Sequence, residues 1–498
     1  MLKKYFSETA LIASIALFTF VSRIINLLKI PIFTDEAIYI RWAQIGLADP
    51  AHRFISLTDG KQPLLTWFMY LPLRFFSDPL FAGRMVSVVS AVFAVIGIYF
   101  LAKVLYGKKT AVIACLFYIF SPFTLVYNRL ALMDSWLTTF GIWSLFLQVL
   151  QVRFLRLDLA LILGMVMGLG MLTKSSALFF IILFPLGLLI FDFSKKEIII
   201  RLSKWVFLSV ASAFFSEIYF NILRLSPWFY IIEQKNLVFI KTLGEVIKDP
   251  FMNLLPNLNG LLGMTFSYMT LPVTILIVAG LIFGFLRKDK KTVFLFLWFF
   301  LPFISLSIFA KILFPRFVLF MIPPLFIISA EFLRSSLFYS SNKIKAFSIL
   351  ALIMTGYTIF QSGVLVFSPI QANIPKIDRN QLFDDWPSGY GVNEVISYLS
   401  KRAQSRKIVI GTEGTFGLNP AVYEIYLQTN PNVEIFGFWP VSSVPELLLE
   451  KAKNTETYLV FKETQKIPES WPLILIAKYK RGKGETYLYF FKVGQAKI

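Results

Sequence analysis

"AGRMVSVVSAVFAVIGIYFLAKVLYGKKTA", residues 82–111, holds one apolar run between Arg84 and Lys103, followed by Lys108 and Lys109. A helix needs about 20 apolar residues to cross a bilayer, and cations just behind such a run mark one side of the membrane. This stretch reads as a span over roughly 81–104. Ten further runs read the same way, at roughly 9–29, 110–127, 132–151, 157–173, 175–193, 203–222, 260–285, 292–310, 316–333 and 345–367. The fold class they predict is a polytopic α-helical membrane protein with about 11 transmembrane helices. Composition agrees, since 57% of the 498 residues are hydrophobic, 17% are aromatic and 54 are Phe, more than a water-soluble fold normally carries.

Formal charge is 49 basic minus 29 acidic residues, or +20. In a soluble protein that excess points to nucleic acid. Here the cations cluster between apolar runs and are read as orientation signals, so no nucleic-acid partner is expected. The clusters are Lys3 and Lys4; Lys103, Lys108 and Lys109; Arg153 and Arg156; Lys195, Lys196, Arg201 and Lys204; Arg287, Lys288, Lys290 and Lys291; and Arg334, Lys343 and Lys345. With an odd number of spans all of them fall on one side. The expected placement is the cell membrane, with the N-terminus cytoplasmic and the C-terminus outside. The first run follows Lys3 and Lys4 without a small-residue cleavage site, which predicts an uncleaved anchor. The sole cysteine, Cys115, lies in an apolar run and excludes an internal disulfide or a thiolate metal cluster. With His52 the sole histidine, neither a histidine metal site nor a Ser-His-Asp triad is expected. No metal ligands are assigned and no cofactor is required, although carboxylates leave a divalent cation open.

This topology puts residues 30–80, the connections at Asn128–Met133 and Thr173–Lys174, the loop 223–259 and everything after about 368 on the outer face. The outer cations Lys61, Arg129, Lys174, Lys311 and Arg316 run against the charge bias. Charge at membrane depth is expensive, which makes such residues functional candidates; the plainer alternative is that they snorkel to headgroups. Pro31, Pro50, Gly60, Pro63, Pro72 and Pro79 break up residues 30–80, leaving 35–47 and 64–76 as outer interfacial helices. These and the loop 223–259 are expected to roof a cavity between the spans.

After residue 368 the pattern changes to alternating short helices and strands. "GVNEVISYLSKRAQ" is a helix, "KIVIGT" a strand, "PAVYEIYLQ" a helix, "VEIFGFW" a strand, "PELLLEKAKN" a helix, and "TYLVFKE", "LILIAKYK" and "TYLYFFKV" are strands. The expected domains are therefore 1–367, a multi-spanning membrane domain, and 368–498, an extracytoplasmic α/β domain. "GTEGTFG", 411–417, places glycines after a strand but matches neither G-x-G-x-x-G nor the P-loop, so a plain turn is expected. "DDWPSGYG", 384–391, could bind sugar through Trp386 and its acids, against the plainer reading of a loop in which Pro387 and Gly389 turn the chain.

"IPIFTDEAIYIRWAQ", 30–44, sets Asp35 and Glu36 beside the membrane on the outer side. A carboxylate there can take the proton from an attacking hydroxyl, and Lys and Arg can stabilise the charge that grows on a departing phosphate. Neighbouring cations would keep Asp35 ionised and able to act as a base. The same acids also suit the positive end of a helix with Thr34 as its N-cap, a role compatible with catalysis.

The order of "TDEAIYIRWA", "GKQPLLTWFMYLP", "AGRMVSVVSAVFAVIGIYFLAKVLYGKKTA", "NRLALMDSW", "LGMLTKSSALFF" and "FPRFVLFMIPPL" resembles the multi-spanning glycosyltransferases of the protein O-mannosyltransferase and lipid A aminoarabinose transferase superfamily, the C-type membrane fold. The resemblance covers about residues 9–335. It implies a polyprenyl-phosphate-linked sugar donor, an acceptor hydroxyl on a lipid, glycan or protein outside the membrane, and inversion at the anomeric carbon. It assigns Asp35 as general base with Glu36 beside it, Lys61 as a contact of the donor phosphate, and Arg129 and Asp134 to the next outer turn. Lys174 falls at another outer turn, and Arg316 where the family has Arg-Tyr; Arg84 matches an arginine that is structural in character. The catalytic candidates are thus Asp35, Glu36 and Asp134, and the donor-phosphate candidates Lys61, Arg129, Lys174 and Arg316. Two departures stand out. Gly60, Lys61, Gln62 and Pro63 replace a polar residue, a lysine and two prolines, and Phe317 replaces a tyrosine, removing one hydroxyl. The competing functions are a lipid or polysaccharide transporter or flippase, which would show paired repeats with broken midplane helices, and an assembly platform that uses its outer domain.

Overall fold

The computed structural model describes residues 2–249, 251–339 and 341–494. Most predicted spans fall on helices, but 175–193 is a series of short turns, Ser175–Leu178, Phe179–Ile182 and Phe184–Ile190, and 316–333 begins as two tight turns before the helix Pro323–Tyr339. In chain order the helices are α1 (Leu2–Ile24), α2 (Thr34–Ala48), α3 (Leu64–Phe75), α4 (Pro79–Tyr106), α5 (Lys108–Phe120), α6 (Pro122–Tyr127), α7 (Met133–Phe154), α8 (Leu157–Met171), α9 (Phe179–Ile182) and α10 (Ile198–Asn221). They continue with α11 (Ile231–Phe239), α12 (Leu243–Lys248), α13 (Leu254–Leu286), α14 (Lys290–Phe309), α15 (Pro323–Tyr339), α16 (Asn342–Phe367), α17 (Lys376–Arg379), α18 (Val392–Ala403), α19 (Leu418–Leu427) and α20 (Glu446–Lys451). Among the described residues six helices are long and apolar enough to cross a membrane, and Pro315–Met321 with Pro323–Leu337, bent by 54°, makes a seventh. α7 is more polar because protein surrounds it. The side of α7 that carries Ser135, Thr138, Thr139, Ser144, Gln148 and Gln151 is buried, so these groups meet other helices rather than lipid. The protein is a multi-pass membrane protein.

The chain divides into two compact units. The first comprises Met1–Ile25, Phe54–Leu65 and Met85–Phe367. Within it the expected span 110–127 is two helices, because Pro122 offers no N–H to the Tyr118 carbonyl. At membrane depth that carbonyl needs another donor, and Arg23, buried at the end of α1, supplies it. Its Nη2 donates to Tyr118 O at 3.1 Å and its Nη1 to Ile119 O at 2.8 Å. Gly164 and Gly168 on α8 allow α10 to pack closely, since a Cβ at Gly164 would lie 2.7 Å from Ser212 O and one at Gly168 2.5 Å from the Tyr219 Cβ. Such small-residue spacing is a common device where apolar burial between helices adds little.

The second unit comprises Asn26–Arg53, Thr66–Arg84 and Ser368–Ile498. Its five-stranded sheet has the order β2-β1-β3-β5-β4, from β1 (Ile408–Glu413), β2 (Val433–Phe438), β3 (Glu456–Phe461), β4 (Leu473–Lys480) and β5 (Tyr487–Val493). β1 runs parallel to β2 and β3, and β5 antiparallel to β3 and β4. All eight elements read from the sequence after residue 390 are present. Parallel strands covered on both faces are continuously apolar, and all six residues of β1 are buried. α2 differs from the expected interfacial helix. It packs against α19, with Arg41 Nε 2.9 Å from Glu424 Oε2 and Gln44 donating to Ile425 O at 2.9 Å. Ala37, Ile38, Tyr39, Ile40, Trp42 and Ala43 are all buried, so apolar residues spread around this helix serve packing.

Candidate active site

In the first unit, residues Ile55–Asp59 form a tight turn closed by Gly60 in the left-handed region, φ 65°. Gly60 N–H donates to Leu57 O at 2.9 Å and Lys61 N–H to Ser56 O at 3.0 Å. α11 lies on this turn. A Cβ at Gly60 would come within 2.5 Å of the Lys235 Cβ and 2.7 Å of Ile231 O, and Lys235 pairs with Asp59 at 2.5 Å. Part of the loop 223–259 thus covers the Lys61 turn, as expected of a roof. Beyond the turn, Gln62 Nε2 donates to Ser175 Oγ at 2.7 Å and Leu64 N–H to Leu172 O at 3.1 Å, which ties Lys61 to the outer turn that carries Lys174. Replacing Gly60 by Ala is expected to cost about 1–2 kcal/mol in backbone strain alone and to lever α11 away. A lowered thermal unfolding transition checks this, and an unchanged one would show that α11 does not constrain the turn.

Three predicted cations gather on three linked aromatic rings. Lys61 Nζ lies over Phe239, 5.1 Å from its centroid, Lys174 Nζ over Phe317 at 4.6 Å, and the Arg316 guanidinium over Phe314 at 4.6 Å. The Phe317 ring stands edge-on to Phe239 at 6.1 Å and to Phe314 at 5.5 Å. A ring face attracts a cation and helps fix where it stands. Phe317, where relatives are expected to carry tyrosine, gives up a hydroxyl and offers its face to Lys174. Asp134, nearly buried in the first turn of α7, pairs with Lys174 at 2.6 Å and fixes that ammonium. Arg129 is buried, and its Nη1 donates to Arg23 O at 2.9 Å and Ile25 O at 2.7 Å, binding the end of α1 as a cation should bind helix carbonyls.

In the second unit Asp35 is half-buried in the first turn of α2, where backbone N–H groups and the helix dipole favour a carboxylate. The neighbouring Glu36 is fully buried and held from three directions. Its Oε2 accepts from Phe33 N–H at 3.0 Å and from Arg84 Nη2 at 2.7 Å, and its Oε1 from Arg84 Nε at 2.8 Å. Arg84 also donates to Leu27 O and Ile30 O at 2.8 Å and Pro31 O at 3.0 Å. The expected N-cap is corrected by one residue. Phe33 occupies that position and Glu36 receives its N–H, while the Thr34 hydroxyl donates to Pro387 O at 2.9 Å. This geometry ties Glu36 and Arg84 to the backbone that leads into α2.

The loop 384–391 and the turn 411–417 both adjoin this helix start. Thr34 N–H donates to Pro387 O at 3.1 Å and Gly389 N–H to Ile32 O at 2.8 Å; a Cβ at Gly417 would lie 3.7 Å from Thr34 Cγ2. The turn cradles a carboxylate of its own, as Glu413 Oε2 accepts from the N–H groups of Lys462 at 2.8 Å, Glu463 at 2.6 Å and Thr464 at 3.1 Å. One face of the Trp386 indole is occupied by Lys462 Nζ, 4.4 Å from the centroid. Burial holds that ammonium below the usual lysine range. Among the described residues no three His, Cys, Asp or Glu side chains are grouped to hold a metal.

The family model for dolichyl-phosphate-mannose-protein mannosyltransferase matches residues 60–219. Among solved structures, the chain is similar to ArnT from Cupriavidus metallidurans bound to undecaprenyl phosphate, with a TM-score of 0.57 and 14% identity over 98% of each chain. It is also similar to the archaeal oligosaccharyltransferase AglB from Archaeoglobus fulgidus, in complex with an inhibitory peptide and a dolichol-phosphate, with a TM-score of 0.51 and 12% identity over 92% of this chain and 69% of that one. No curated protein matches the chain in sequence. At these identities the likeness is one of fold.

Proposed function

We propose that this chain, whose fold is that of the C-type membrane glycosyltransferase superfamily, transfers a sugar from a polyprenyl-phosphate donor to an acceptor hydroxyl on the outer face of the membrane. The observation that carries this reading is the group of Lys61, Lys174 and Arg316 on linked phenylalanine faces. Three cations gathered in this way are suited to a phosphate. In the reaction the acceptor oxygen attacks the anomeric carbon from the side opposite the phosphate, the bond from that carbon to the phosphate oxygen breaks, and the configuration inverts. Asp35 takes the acceptor proton. The electron pair of the broken bond stays on the phosphate, where Lys61, Lys174 and Arg316 stabilise it, and Asp134 holds Lys174 in position. The acceptor is a hydroxyl of a lipid, glycan or protein, the N-terminus is cytoplasmic, and the sheet-bearing residues 368–498 are extracytoplasmic.

The test uses the full chain in proteoliposomes with a panel of polyprenyl-phosphate sugars. One donor is expected to be consumed with release of polyprenyl phosphate. Lys174→Gln, which loses a charged contact worth about 1.5–3 kcal/mol, is expected to raise the donor KM roughly ten- to a hundredfold. Movement of labelled lipid between leaflets with no sugar transferred from any donor would overturn the reading in favour of a flippase.

A further inference from the structure

At the other end of the same helices lies a second polar chamber. α15 begins just after the Arg316 turn, and Glu331 and Arg334 are reached about 12 and 17 Å along it. There, between α4, α13, α14 and α15, is a cavity of 340 Å³ lined by Tyr106, Arg287, Asp289, Lys291, Glu331 and Arg334 among others. Both of its acids are occupied. Asp289 caps α14, accepting from Lys291 N–H at 3.1 Å and Thr292 N–H at 3.3 Å, and also accepts from the Tyr106 hydroxyl at 2.6 Å. Glu331 accepts from Arg334 Nε and from Thr110 Oγ1, each at 2.8 Å. The Arg287 guanidinium lines the cavity, is exposed and rests on the Phe283 ring, 3.9 Å from its centroid. Lys288 and Lys290 stand exposed beside it.

The chamber is also amphiphilic. Immediately before Arg287, the α13 side chains Ile282, Phe285 and Leu286 are exposed, Leu286 at 79%, so apolar surface leads directly to the cations. A free anion would have no use for that surface. We propose that this chamber seats the anionic headgroup of a membrane phospholipid, with its phosphate at Arg287 and its acyl chains along Ile282, Phe285 and Leu286. Basic pockets between membrane helices commonly recognise such headgroups. The proposal is independent of sugar transfer.

The experiment incorporates the full chain into vesicles of equal parts phosphatidylglycerol and phosphatidylcholine, purifies it in mild detergent and measures the co-purifying lipids. Phosphatidylglycerol is expected to be enriched. Arg287→Gln should reduce that enrichment about fivefold, while Lys196→Gln, an exposed cation on the separate turn before α10, should leave it unchanged. Equal retention of both lipids by the unaltered protein would overturn the proposal. So would equal losses in the two variants, which would reveal a diffuse charge effect, or displacement of phosphatidylglycerol by an equal concentration of inorganic phosphate, which would make this a free-anion site.

Discussion

Asp35→Asn is expected to leave the protein folded and able to bind its donor while sugar transfer falls by about 10²–10⁴-fold, the usual contribution of a positioned base. The substitution keeps the shape of the side chain and its capacity to accept hydrogen bonds at the start of α2, but removes the proton acceptor. Its effect should therefore fall on kcat rather than on KM for the donor. Initial-rate measurements over a range of donor concentrations, with thermal unfolding as the control for folding, separate the two. Turnover near that of the unaltered protein would remove Asp35 from the chemistry.

Arg84→Met is expected to be the most damaging substitution to stability, by about 3–5 kcal/mol, because it leaves the Glu36 carboxylate buried without its cation. The loss is compounded by the carbonyls of Leu27, Ile30 and Pro31, which share the same guanidinium. Thermal unfolding and limited proteolysis of the full chain would report it. The double variant Glu36→Leu with Arg84→Met should be closer to the unaltered protein than Arg84→Met alone, since no unpaired charge then remains buried. An Arg84→Met protein as stable as the unaltered one would show that the ion pair is dispensable and that α2 is held by its packing on α19.

The spans were legible because a bilayer imposes length and apolarity locally, within each run. The division at Pro122 was less so, since a proline in an apolar run is tolerated in many spanning helices and only the folded chain shows Arg23 and the Thr124 hydroxyl replacing the missing donor. Lys61, Lys174 and Arg316 could be picked out as cations on the side where cations are scarce. Their ring partners could not, because Phe239, Phe314 and Phe317 are three among 54 phenylalanines and composition gives them no contrast. The partnership of Glu36 with Arg84, and of α2 with α19, joins segments far apart in the chain. A short pattern such as "TDEAIYIRWA" says that one face will be covered without saying by what, and here burial extends around the helix.

Arg23 also bears on how this protein is made. When α1 first enters the membrane, the partners of that arginine, the carbonyls of Tyr118 and Ile119, have not been synthesised, and a lone guanidinium costs up to about 3 kcal/mol, the value at a helix centre, and less near a helix end. Arg129, which later binds the carbonyls of Arg23 and Ile25, arrives at the same stage. Nascent chains ending before Pro122 are therefore expected to be held less firmly in the bilayer than those that extend past it, which extraction of truncated chains would measure.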